Sequence, residues 1–343
     1  MEEMRNENWE AITPPENSQQ EMENIRRNLK KQNRKTILTS IVLVIAILLG
    51  TVYGIMPMAE KYYWDPLDSS FDQYDTDLRL ILDAYTELFL PGKTLSVLPG
   101  RTGFADYELN MTMTDVVRDT RQHLTGRLNK GQLGFDYAFF DWSNKPAFHS
   151  AIFPDYPATA WERNTKEVRV KLEQLPEYIR LEAAVTFPED ITMAQLLKIM
   201  EYDYIGNQGD LKVIWAAIRT QEVQSETSHH SVGISFNLSP MDGGINETYP
   251  EFYLSYYEPS GETLEQHFKS VMQFSSDMML DGKAVLTWHE DHNFYQEALS
   301  YCEEKGVKAY GCIVTGSPET LLALLDSSDI LDMELMDAWI DVE

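Results

Sequence analysis

The hydrophobic pattern separates one continuous apolar run from a long series of periodic segments. Ile37–Met56 (ILTSIVLVIAILLGTVYGIM) is twenty residues long and uncharged. A helix needs about 20 such residues to cross a hydrocarbon core. The run predicts a transmembrane helix over 36–56. A cleaved signal peptide is the competing reading, but its apolar region would span about 7–15 residues and end at a small-residue cleavage site. Met56-Pro57-Met58-Ala59 is a poor site of that kind, and 36 residues precede the run. Ahead of the run, residues 1–35 read as a polar tail that becomes helical from Glu16. There Met22, Ile25 and Leu29 fall at i, i+3, i+7, a narrow apolar stripe. Trp9 and Ile12 are the other large apolar residues of the tail.

Beyond the run the periodicity changes repeatedly. Tyr62-Tyr63-Trp64-Asp65-Pro66 has the aromatics of a membrane–water interface. Leu78, Ile81, Leu82 and Tyr85 predict an amphipathic helix over 74–89, closed by Pro91-Gly92. Residues 93–165 recur in glycine and proline. Tyr107–Thr114 and Ala147–Phe153 alternate there, which predicts a small β-rich unit. From 166 onward strands and helices mix. Tyr178–Phe187 alternates as a strand covered on one face. Met193, Leu196, Leu197 and Met200 form a helix stripe. Val213–Ile218 is nearly all apolar, a strand buried on both faces.

After a polar stretch at 220–262, helices are predicted over about 262–276 and 291–305. A strand follows at Val307–Thr315. Ser317-Pro318 then opens a helix as N-cap and first helical residue, and Leu331–Trp339 forms a last strand. Two βαβ units result. The predicted class is α+β: one transmembrane helix, an extracytoplasmic β-rich unit, and a βαβ-containing, ferredoxin-like or related domain. The expected segments are 1–35, 36–56, 57–165 and 166–343.

Charge orients this layout. Arg26, Arg27, Lys30, Lys31, Arg34 and Lys35 precede the run, whereas Lys61 is the only basic residue after it before Arg79. Lys and Arg accumulate on the cytoplasmic side, so the N-terminus is expected inside the cell membrane and 57–343 outside, in a single pass. Residues 1–56 hold 7 basic and 7 acidic residues, leaving 21 basic and 48 acidic for the rest. A domain so acidic is not a direct nucleic-acid binder, because neutralising phosphates takes clustered Lys and Arg. In the run itself, Gly50 and Gly54 form a GxxxG pair, the spacing that lets two membrane helices approach; glycine is also common in such helices without that role.

Candidate chemistry is sparse. Cys302 and Cys312 lie on consecutive elements outside the membrane; they read either as a disulfide or as two separately buried thiols. His289-Glu290-Asp291-His292 is the densest metal-capable cluster, but it is not HExxH and lacks an evident third ligand, so capping of the following helix is the simpler reading. His229-His230 reads as exposed loop, and Asp242-Gly243-Gly244 is too short for a calcium loop. GxSxG, phosphate-loop and dinucleotide motifs are absent. No catalytic, cofactor or metal residue is assigned, and a non-catalytic protein is expected.

Three stretches carry a family resemblance. The first is Arg34-Lys35-Thr36-Ile37 leading into the run, then Tyr62-Tyr63-Trp64-Asp65-Pro66. The second is Ala84-Tyr85-Thr86-Glu87-Leu88-Phe89-Leu90-Pro91-Gly92 with Thr102-Gly103-Phe104-Ala105-Asp106-Tyr107. The third is Gly306-Val307-Lys308-Ala309-Tyr310-Gly311 and Val314-Thr315-Gly316-Ser317-Pro318-Glu319-Thr320-Leu321, with Val213-Ile214-Trp215-Ala216 upstream. In order and spacing these resemble the N-terminal and C-terminal regions of membrane-bound sigma factor regulators of Gram-positive bacteria. The resemblance implies an anti-sigma factor: an inner segment holding an extracytoplasmic-function sigma factor, and an outer domain controlling its release. The tail departs from anti-sigma factors with a zinc-binding His/Cys motif, having neither residue. It is also too short to bury a core of its own. It would bind as a helix in a groove, through Trp9, Ile12, Met22, Ile25 and Leu29, or act with a partner membrane protein. The stripe equally suits a helix that merely continues into the membrane. A cell-envelope assembly or interaction protein is the alternative.

Overall fold

The computed structural model describes residues 16–71, 76–135, 148, 151, 158–204, 210–222, 231–236, 244–254, 260–280, 285–286 and 292–340. The chain divides into two compact units, 1–62 and 63–343.

The first unit is helical from Glu16 to Glu60. Helix α1 spans Glu16–Gly50, followed by a π-helical turn at Thr51–Ile55 and helix α2 at Met56–Glu60. The stretch Gln20–Ala59 is long and apolar enough to cross a membrane, and none of its most apolar window is buried. Thr36, Thr39 and Thr51 donate their hydroxyls to the carbonyls of Gln32, Lys35 and Ile47, four residues back. These three hydroxyls are thus satisfied within the helix. The π turn is a departure from a uniform helix, and Pro57 accounts for it. Proline lacks an N–H and its ring crowds the carbonyl four residues earlier, here that of Tyr53. Widening the preceding turn relieves that crowding, and Met56 N–H accordingly bonds to the carbonyl of Thr51, five residues back.

In the second unit, helix α3 (Asp77–Phe89) has Thr76 as its N-cap, whose side chain accepts from Arg79 N–H. Asp77 is fully buried and accepts both the N–H and the hydroxyl of Ser70. The predicted single stripe is in fact two. Leu78, Leu82 and Tyr85 pack against one sheet, and Leu80, Ile81, Ala84 and Leu88 enter a larger core. A helix sandwiched this way needs apolar residues around more of its circumference than an ordinary amphipathic one.

The first sheet is an antiparallel meander of β1 (Lys93–Gly103), β2 (Asp106–Asp115), β3 (Thr120–Asn129) and β4 (Gln132–Phe135). A two-residue strand, β8 (Val285–Leu286), joins β4 in parallel. Lys130 and Gly131 both have positive φ at the β3–β4 turn, as the tightest hairpins require. Alternate residues Tyr107, Leu109 and Met111, with Leu95, Leu124, Leu128 and Leu133, face α3. The β-rich expectation for 93–165 therefore holds to Phe135, while most of Ala147–Phe153 lies outside the described residues. The boundary expected at 165/166 falls inside helix α4 (Ala158–Gln174), and 63–343 form one compact unit.

The second sheet contains β5 (Ile179–Thr192), β6 (Lys212–Ile218), β7 (Val232–Ser235), β9 (Lys308–Gly316) and β10 (Asp332–Ile340), in the order β10-β5-β9-β6-β7. All neighbours are antiparallel. Helix α5 (Met193–Tyr204) links β5 to β6, and helix α9 (Pro318–Leu325) links β9 to β10. The two expected βαβ units are present but interleaved, since β9 lies between β5 and β6, and β5 between β9 and β10. Four strands so ordered have the split-βαβ, ferredoxin-like topology, extended by β7. Between β6 and β9 the chain adds α6 (Ile245–Thr248), α7 (Gly261–Leu280) and α8 (His292–Lys305).

The sheet buries both faces. Leu181, Ala183, Val185, Ala216, Cys312 and Val314 belong to the large core, and Phe148, Ala184, Trp215, Ala217, Tyr310 and Ile313 to a smaller cluster. Strand β5 is thus covered on both sides where only one was expected, because Ala184 and Thr186 are small enough to be overlain. At the β6–β7 pair, Gly233 permits the close approach. A Cβ there would lie 2.0 Å from the Ala216 carbonyl and 2.4 Å from the Trp215 ring. Gly233→Ala is therefore expected to destabilise the protein by about 3 kcal/mol or to prevent folding, read as a lowered denaturation midpoint. An unchanged midpoint would contradict this packing.

Candidate functional site

The residues singled out by sequence are distributed across both units. In the first, Met22, Ile25 and Leu29 lie along α1, each a little over half exposed. Trp9 and Ile12 fall outside the described residues. Gly50 ends α1 and Gly54 sits in the π turn; a Cβ at either would meet open space. A helix surface with three half-exposed apolar side chains and two bare glycines can take up a partner helix or groove.

In the second unit, Cys302 and Cys312 are free thiols, both buried, and not a bridge. The Cys302 thiol points at the carbonyl of Arg219, 3.6 Å away, while Cys312 lies in the middle of the sheet, paired with Val185 and Ala216. Burial pushes each thiol up to about 12, which keeps both protonated and unreactive. His289–Asp291, His229-His230 and Asp242-Gly243 lie outside the described residues; His292 begins α8. Among the described residues no group of three His, Cys, Asp or Glu is arranged to hold a metal ion.

The fold assembles two polar centres that hydrophobic periodicity does not reveal. The first gathers around Glu87 on α3. Its Oε1 accepts the Ser235 N–H from β7 and lies 3.2 Å from His267 Nε2 on α7. Its main-chain carbonyl accepts Trp215 Nε1 from β6 at 3.0 Å. His267 Nδ1 is 2.8 Å from the Glu251 carbonyl, which can only accept, so that nitrogen carries a hydrogen. One α3 residue thus ties three other elements to the shared helix. Ser, His and Glu occur together here, yet Ser235 contributes its backbone. Among the described residues its buried Oγ has no hydrogen-bond partner, so no nucleophile–base pair is formed there.

The second centre joins the two sheets. Glu182 on β5 and Asp337 on β10 are directly opposite in register, a like-charge pair that repels. Arg118, in the turn after β2, reaches both. Its Nη2 lies 2.7 Å from Asp337 and 3.5 Å from Glu182, and its guanidinium sits 5.1 Å over the Trp339 ring. Asp115, at the end of β2, pairs with Lys93 of β1 and accepts the N–H groups of Val117 and Arg118 at 3.0 Å each. Three carboxylates therefore share two cations. Burial alone would raise Asp115, but the Lys93 ammonium and the two backbone donors outweigh it and hold the carboxyl below its usual range. Glu182 is raised, chiefly by burial, which Lys93 and Arg118 only partly offset. No signal in the sequence foretold this: Glu182 reads as the solvent side of an alternating strand, and Arg118 is distant from it along the chain.

Residues 172–336, which run from the end of α4 into β10, match a family model described as sigma factor regulator C-terminal. No curated protein and no solved structure matches the chain.

The joint gives opposed pH dependences. Asp115, lowered in the fold, contributes stability that is present above the ordinary carboxylate range and is lost as pH falls through its folded value. Glu182, raised in the fold, contributes stability that is complete below the ordinary range and is lost as pH rises through its folded value. At neutral pH, Asp115→Asn should cost about 2 kcal/mol, because Lys93 loses its partner. Glu182→Gln should be neutral or stabilising, since it balances two carboxylates against two cations, and its advantage should vanish on acidification. Denaturation midpoints of the two variants across pH test both signs; a Glu182→Gln loss that persists at acid pH would contradict the assignment.

Proposed function

We propose that this chain, whose residues 172–336 carry the C-terminal region of a sigma factor regulator family, is a non-catalytic, single-pass regulator of the cell membrane. In this reading α1 crosses the bilayer with residues 1–35 in the cytoplasm. The domain from 57 onward lies outside and responds to conditions there. The inner segment binds an extracytoplasmic-function sigma factor, directly or with a partner membrane protein. The basic residues before the apolar run and their scarcity after it support the orientation. The GxxxG pair Gly50 and Gly54 is the contact we assign to self-association within the membrane.

The observation that carries the reading is the stripe on α1. Met22, Ile25 and Leu29 hold apolar surface in solvent within a segment that is otherwise polar and charged. Such anchors at i, i+3 and i+7 suit a groove on a partner, and each large buried anchor contributes on the order of 2 kcal/mol. Ile25→Ala with Leu29→Ala keeps the helix and its charges. The double variant is expected to weaken sigma-factor binding by about 10²-fold or more, read as full induction of a sigma-dependent reporter at normal protein levels. Undiminished repression would move the interface elsewhere.

A further inference from the structure

The basic residues of α1 do more than mark a side. From Asn24 to Ala59 the chain has no acidic residue, while Arg26, Arg27, Lys30, Lys31, Arg34 and Lys35 crowd into ten positions. All six are exposed on one unbroken helix that continues into the apolar run. Among the described residues Arg27 pairs with Glu23, long at 3.9 Å and largely exposed, and therefore weakly. At about 100° per residue the six cations fall within an arc of about 180°. Met22, Ile25 and Leu29 cluster within about 60° on the opposite half. At 1.5 Å per residue, Lys35 to Lys30 lie roughly 3–10 Å beyond Ile37, at the depth of a headgroup layer.

We propose that this one-sided basic face binds anionic phospholipid headgroups. The contact leans the segment toward the bilayer on its basic side and leaves the Met22–Ile25–Leu29 stripe turned to the aqueous phase. Charge complementarity selects the occupant: a dense array of fixed cations at headgroup depth, with no carboxylate among them, meets the one polyanion that is always beside it. Each Lys or Arg near such a surface changes partition by about fivefold. The proposal rests on the reading of α1 as a span, and the test separates the two.

Full-length protein is reconstituted into nanodiscs of zwitterionic lipid, or of lipid roughly one-third anionic. It carries a fluorophore on Asn24→Cys (basic side) or Met22→Cys (stripe side). The native thiols Cys302 and Cys312 are buried and leave the new one to react. A headgroup nitroxide serves as quencher. Quenching at position 24 should rise at least about twofold with anionic lipid, and position 22 should change little. The rise should disappear in about 1 M salt, where the Debye length is about 3 Å, and in K30Q/K31Q/R34Q/K35Q, which tests the four cations closest to the bilayer. Equal quenching at position 24 in both lipids, or a rise that survives the quadruple variant, overturns the proposal. Failure to insert even into neutral discs would overturn the span instead.

Discussion

The unit formed by residues 63–343 depends on burying both sides of α3. Leu78, Leu82 and Tyr85 are the floor of the meander, and Leu80, Ile81, Ala84 and Leu88 are part of the larger core. Fully burying a large apolar side chain stabilises by roughly 1.5–3 kcal/mol, so neither sheet can shed this helix without losing a large share of its packing. The meander offers one apolar face and no second layer of its own. α3 supplies that layer, and in doing so makes 63–343 one compact unit.

Polar contacts then fix how the layers meet. Hydrophobic burial is non-directional and would tolerate a slipped helix. Glu87 does not, because its carboxylate and its carbonyl are each committed to a different strand, and the carboxylate faces His267 as well. At the other seam Arg118 stands between two carboxylates that would repel without it. Both centres place charged groups where an isolated charge would be costly, so each is held by its partners.

Much of this was legible in the sequence where local periodicity and burial agree. Val213–Ile218 was readable as a doubly buried strand because it is short, apolar and bounded by polar residues. Ser317-Pro318 marked the start of α9, and its hydroxyl does accept from Thr320 N–H. The ferredoxin-like reading followed from two strand–helix–strand runs. The illegible features are those that need a partner distant in sequence. Glu87 and His267 are 180 residues apart. Strand β7 hides in a polar stretch because its four residues are buried by neighbours rather than by their own pattern. The split of the α3 stripe was invisible for the same reason, and the free cysteines turn on side-chain direction, which spacing does not give.

We propose a division of labour across a membrane, with a binding helix on one side and, on the other, a folded domain whose residues 172–336 match a sigma factor regulator C-terminal model. Protease accessibility of tags at residue 1 and after Glu343, in intact cells and then in permeabilised ones, decides between the two orientations. The C-terminal tag should be cut in intact cells, and the N-terminal tag only after permeabilisation. Cutting of the N-terminal tag in intact cells with protection of the other, or both tags lying on one side, would contradict it.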